Sequence, residues 1–263
     1  MDETTKIKWT RRIIFLLIGF LLGIVVVGIS RIVFGAYGEI QPDSDRIVGL
    51  WHLNDNDASE DDSSGNGNGC SITGATFVTN ARIGGGYYID TVEELACGPG
   101  TGIDNVFRGT FTIMWWSKNV QQSSSDDYFD KGSKFHISAT SNSNDDVRVF
   151  TDYGSGDSNQ TKWNNIMTAD STWRHIAITA TGNDNSSGTE QKLYLNSILQ
   201  PVVYYVGTTA TQSESDAATS FNIGGRGTGS GFEMDEVIIF DEVLTQAEIT
   251  KYYSLQKGGY GVN

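Results

Sequence analysis

Six carboxylates fall within the nineteen residues GFEMDEVIIFDEVLTQAEI (231–249), and a second acidic stretch, NDNDASEDDSSGNGN, spans 54–68. Acids grouped this way can transfer protons, hold a cation or solvate a surface. The 54–68 stretch offers carboxylates, Asn amides and backbone carbonyls, the three kinds of oxygen that a Ca²⁺ with 6–8 ligands takes. It is not an EF-hand, because Glu60 stands where the turn needs Gly and Asn66 where a bidentate Glu should close the loop. No serine nucleophile elbow, HExxH pair or P-loop occurs in the chain. His52 and His136 are isolated and lack metal-ligand spacing, and His175, between apolar neighbours in WRHIAIT, reads as a hydrogen-bonded structural residue. The chain therefore reads as something other than an enzyme.

What positions these groups begins with a membrane signal. Residues 13–30, IIFLLIGFLLGIVVVGIS, form an uncharged run between Arg12 and Arg31. As a helix it spans about 27 Å, close to the ~30 Å hydrocarbon core of a bilayer. Lys6, Lys8, Arg11 and Arg12 precede it, so the positive-inside rule leaves residues 1–12 in the cytoplasm and sends the rest outward. Residues 13–37 read as an uncleaved signal anchor and 38–46 as a linker. The rival reading is a cleaved signal peptide, since Gly28-Ile29-Ser30 offers small residues and Thr10-Arg11-Arg12 faintly resembles a twin-arginine signal. Both readings export the remainder, anchored in one case and secreted in the other.

Removing the five basic and two acidic residues of 1–31 from the chain's 18 and 32 leaves 13 basic against 30 acidic, a formal charge of −17. Such a field repels nucleic acid and anionic lipid and attracts divalent cations. Cys70 and Cys97 are the only cysteines. In an oxidising compartment a bridge between them is expected, the alternative being two buried free thiols.

From residue 47 the chain is a succession of short alternating apolar segments separated by Gly, Asn, Asp and Ser: IVGLWHL, CSITGATFV, GGYYI, GTFTIMWWSK, KFHISAT, DVRVFTD, WRHIAITAT, KLYLNSILQ, SFNIG and MDEVIIF. The pattern predicts an antiparallel sandwich or barrel over 47–256. In FTIMWWSK, Phe111, Ile113 and Trp115 share one face while Thr112, Met114 and Trp116 share the other, as in a strand buried on both sides. One soluble helix is expected near the C-terminus, where Thr245 and Glu248 form a capping box and Gly258-Gly259 ends the run.

The order IVGLWHL, DSSGNGNG, RIGGGYYID, FTIMWWSK, STWRHIAIT, KLYLNS, FNIGGR, DEVIIFDEVLTQAEI resembles the laminin-G-like domains of the concanavalin A-like lectin/glucanase superfamily over about residues 46–255. The resemblance implies an all-β fold, an antiparallel jelly-roll sandwich preceded here by one N-terminal transmembrane helix. Where the family carries a small residue this chain has Trp115, which is expected in the core; the alternative is an exposed aromatic platform. Laminarinase-type relatives carry their acids as E-x-D-x-E on one strand face. Glu233-Met234-Asp235 begins that pattern, Val237 ends it, and Glu236 is expected on the opposite face. Laminin-G-like domains often hold Ca²⁺ at the sandwich rim, and on that similarity Asp62, Asn66 and Asp235 are the expected ligands. The family's Asp is replaced by Asn54, and Glu242 and Glu248 are expected as surface and capping residues. Sugar sites in such sandwiches combine a loop aromatic with polar neighbours, which points to Tyr153 and Trp163.

These observations predict a membrane-anchored extracellular module that binds glycan or a surface protein in recognition or adhesion. The alternative is self-association into a surface filament through the N-terminal helix, although the pilin Gly-Phe and the Glu five residues into the helix are absent.

Overall fold

The alternating segments pair as their periodicity predicts. A computed structural model describes residues 46–98, 103–120, 127–132, 134–140, 146–154, 157–181, 191–207, 215–217, 219–225 and 231–258. The expected anchor at 13–37 and nearly all of the linker lie outside them. In chain order the strands begin with β1 (Ile47–Trp51), β2 (Ser59–Glu60), β3 (Cys70–Thr73), β4 (Thr76–Ile83), β5 (Gly85–Ile89) and β6 (Glu94–Cys97). The middle of the chain gives β7 (Thr110–Asn119), β8 (Asp127–Lys131), β9 (Phe135–Thr140), β10 (Asp146–Gly154) and β11 (Asp157–Trp163). Then follow β12 (Arg174–Thr181), β13 (Gln191–Leu195), β14 (Ile198–Leu199), β15 (Tyr204–Val206), β16 (Phe221–Gly224), β17 (Phe232–Phe240) and the helix α1 (Gln246–Lys257).

Two antiparallel sheets result, an all-β sandwich consistent with a jelly roll. One has the order β14-β13-β12-β7-β17-β5-β4, with β1 also on β17; the other runs β15-β11-β10-β9-β8-β16-β6-β3-β2. Expected segments 70–78 and 192–200 each split into two strands. The first breaks at Gly74, whose φ of +79° only glycine adopts cheaply. Cys70 and Cys97 are direct cross-strand partners and form the expected disulfide.

Between the sheets lies an aromatic core. Phe107 stacks on Phe135 at 4.0 Å, Trp115 meets Phe129 edge-on at 4.9 Å, and Phe221 stacks on Trp51 and Phe129. Trp115 is fully buried there, so the extra indole fills the core. The opposite face of β7 points away from the sandwich and is covered by α1. Trp116 stacks on Tyr253, its indole N–H donates to Gln256, and Phe240 packs on Tyr252. The capping box forms as expected, with Thr245 accepting from the Glu248 N–H and Glu248 accepting from the Thr245 N–H. Among the described residues no helix is long and apolar enough to cross a membrane.

Candidate functional site

The acidic loop is a staple for an edge strand. β1 pairs only with β17, so its other edge carries backbone groups that need partners. Asp62 accepts from the N–H groups of Leu50, Ser64 and Asn68. Asn66 and Asn68 donate their amides to the carbonyls of Ile47 and Val48, and Trp51 donates its indole N–H to Asn68. Asp235, the third expected calcium ligand, accepts from the Ile83 N–H at 2.6 Å beside the β4–β5 hairpin. The three residues thus serve separate backbone partners. Asp62→Ala should lower stability by about 2–3 kcal/mol through the orphaned N–H groups. Urea denaturation measures this, and a midpoint unchanged from wild type would contradict the stapling role.

Glu233 of β17 meets Lys118 at 2.6 Å, and beyond the strand Arg46 bridges Glu242 and Glu248. Glu236 is where the structure corrects the sequence. A bulge between Asp235 and Ile238, with Glu236 at φ +55°, interrupts the alternation. Met234 and Val237 both enter the core, so Asp235 and Glu236 turn outward together. Burial and the adjacent Glu236 hold the Asp235 carboxyl well above its ordinary range. Glu236 is bound by His52 at 2.9 Å and by Gln256 of α1 at 3.2 Å. Both acids are buried beneath the helix, at 0% and 4% exposure, where a sugar chain has no access.

The expectations for Trp163 and for His175 need correction. Trp163 is fully buried, because on β11 it alternates inward opposite Val147 of β10. Tyr153 falls in β10, but its side chain lies outside the described residues. His175 is structural, yet neither ring nitrogen has a hydrogen-bond partner among the described residues; burial between Trp116 and Tyr253 lowers its pKa to about 3.

The helix α1 packs on the eight-stranded sheet, and the nine-stranded sheet has an outer face of its own. Pairing registers lay one row across it: Ala96, Asn222, Asp130, His136, Phe150, Gln160 and Val206. The adjacent row runs Asp127, Ser138, Arg148, Lys162 and Tyr204. The inward neighbours Phe129, Ile137, Val149 and Ile223 belong to the core, which fixes these rows outward. His136 and Phe150 stack face to face at 4.5 Å with ring planes 13° apart, an aromatic pair in the middle of the sheet. Asn222 donates to Glu94 at 3.0 Å, Arg148 donates to Ser138, and the Lys162 ammonium lies over the Tyr204 ring. Burial first and the charge of Asp130 second raise the Glu94 carboxyl. A stacked aromatic pair beside carboxylates, amides and two cations offers the apolar and hydrogen-bonding groups that a sugar takes. Sequence reasoning missed this row because its members come from seven strands spread over 96–222; the only local signal was the alternation in DVRVFTD.

A laminin G model, described as the concanavalin A-like lectin/glucanases superfamily, matches residues 100–250. No curated protein sequence matches the chain. Among solved structures, the fold is similar to botulinum neurotoxin type C, which depends on two ganglioside molecules to enter cells. That match has a TM-score of 0.62 and 11% identity over 81% of this chain and 52% of the other. It is also similar to the binding domain of Paraclostridial Mosquitocidal Protein 1, with a TM-score of 0.61 and 14% identity over 80% and 52%. The binding domain of botulinum neurotoxin DC in complex with rat synaptotagmin II matches at 0.61 and 12% identity over 81% and 52%. The chain spans about half the length of these structures, and at such identities the likeness is one of fold.

Proposed function

Because the chain belongs to the concanavalin A-like lectin/glucanases superfamily, we propose that it is a lectin-like recognition module that binds glycan on the outer face of its nine-stranded sheet. The stacked His136–Phe150 pair, set in a row with Asn222, Asp130 and Gln160, carries this reading. Similar folds that engage gangliosides and synaptotagmin support recognition of either glycan or protein. A glycan array carrying neutral and sialylated oligosaccharides tests it; the module should retain a restricted set of glycans, and uniform failure to bind any would remove the glycan reading.

Protein recognition is the second reading, favoured by an apolar strip that meets the two rows at Val206 and Tyr204. Ile198, Leu199, Val202, Val203, Tyr204 and Val206 are each 38–64% exposed over nine residues, more than scattered surface apolar residues require. If the strip docks a protein or a second copy, Val203→Glu should abolish that association and leave glycan binding unchanged.

Residues 13–37 hold this module outside the cell as an uncleaved anchor; the uncharged run between Arg12 and Arg31 supports this part of the proposal. Material that begins at the original N-terminus and stays with membranes after alkaline washing is expected. N-terminal sequencing that starts near Arg31 would make the protein secreted.

A further inference from the structure

We propose that Asp127, Asp130 and His136 form a binding site for a divalent transition-metal cation on the outer face of the nine-stranded sheet. One ligand atom from each of the three lies within 4.8 Å of the others. Antiparallel pairing makes this possible: Asp130 stands directly opposite His136, and Asp127 lies near the start of the same strand. For a cation with ligands at about 2.0–2.2 Å, ligand atoms approach to roughly 3.3 Å of one another, so small side-chain rotations close the cluster.

Asn222 provides a second observation. It is the cross-strand partner of Asp130 on the other side, and its amide N–H₂ is engaged by Glu94. Its amide oxygen is buried and has no hydrogen-bond donor. A donor-less oxygen beside a buried carboxylate is unfavourable unless something positive joins them. A cation seated among Asp127, Asp130 and His136, next to Asn222 in the register, would supply that charge.

The donor set selects the class of metal. Ca²⁺ and Mg²⁺ take all-oxygen sites, whereas an imidazole with two carboxylates suits Zn²⁺ and its first-row neighbours. Three protein ligands leave a coordination position open to solvent or to a ligand's oxygen. His136 also carries the ring stacked on Phe150, so metal ligation would fix that ring's orientation. The inference rests on ligand geometry and holds whether or not a glycan binds this face.

Equilibrium dialysis of the metal-stripped 263-residue chain against ZnCl₂, with CaCl₂ and MgCl₂ in parallel, tests the site. One Zn²⁺ per chain is expected, weakened at least about tenfold in both His136→Gln and Asp130→Asn. His52→Gln should leave the affinity unchanged. Loss of binding in His52→Gln, or no stoichiometric Zn²⁺ in the wild-type chain, would overturn the proposal. So would Ca²⁺ binding as tight as Zn²⁺, because it would show that the imidazole is not a ligand. Should a variant fail to fold, Co²⁺ added to the wild-type chain gives an independent reading. Visible d–d bands that Zn²⁺ displaces support the site, and their absence contradicts it.

Discussion

Replacing His175 by Phe should remove about 3 kcal/mol of the change in stability between pH 7.5 and pH 4.5. His175 is fully buried, its ring nitrogens have no partners among the described residues, and burial lowers its pKa from 6.5 to about 3. The unfolded chain therefore takes up this proton near pH 6.5, while the folded chain resists it until about pH 3. Between those values the unfolded state binds more protons, so stability falls as pH falls, by about 1.4 kcal/mol per pH unit. The contribution is complete above pH 6.5. Glu60 works in the opposite sense, because burial raises its carboxyl to about 7 and the folded state then holds the extra proton between 4.5 and 7. The wild-type pH profile sums these two with the other raised carboxyls, Asp235 and Glu94, and the difference between wild type and His175→Phe isolates the imidazole. Urea denaturation at the two pH values checks this; parallel profiles for both proteins would contradict it. At pH 7.5 the substitution itself should be close to neutral, since it removes a buried polar ring that makes no hydrogen bond.

Trp163→Ala should destabilise the fold by about 3–5 kcal/mol and leave any ligand affinity of the remaining folded protein unchanged. The indole is fully enclosed between the sheets, at the end of β11 opposite Val147. A loop aromatic reserved for sugar would give the reverse pattern, little loss of stability and a large loss of affinity. Calorimetric melting of wild type and variant distinguishes the two.

Trp163 also shows where the sequence stops being readable. Its neighbours Asn159, Thr161, Lys162 and Asn164 are polar, so the segment resembles a loop. It is a strand whose inward face includes buried Asn159 and Thr161, and no period-2 apolar pattern marks such a strand. The same applies to β8, where DYFDK carries charge at both ends, and to the short β6. By contrast FTIMWWSK, GGYYI and the capping box at Thr245 were legible, because local periodicity and capping chemistry decide them. The bulge at Glu236 depends on one left-handed residue that nothing in MDEVIIF announces. The outer-face row was illegible for a different reason. Asp130, His136, Phe150 and Asn222 meet only through the register of four strands, and register is set by long-range packing.

The central claim is that the outer face of the nine-stranded sheet is the recognition surface, with Phe150 and His136 as its aromatic pair. The most direct measurement is the affinity of wild type and Phe150→Ala for the strongest glycan found on the array, with folding of both checked by melting. Phe150 is half-buried on the outer face and absent from the core cluster, so the variant should fold. Its affinity should fall at least about tenfold, some 1.4 kcal/mol. Equal affinities for the two folded proteins would contradict the account.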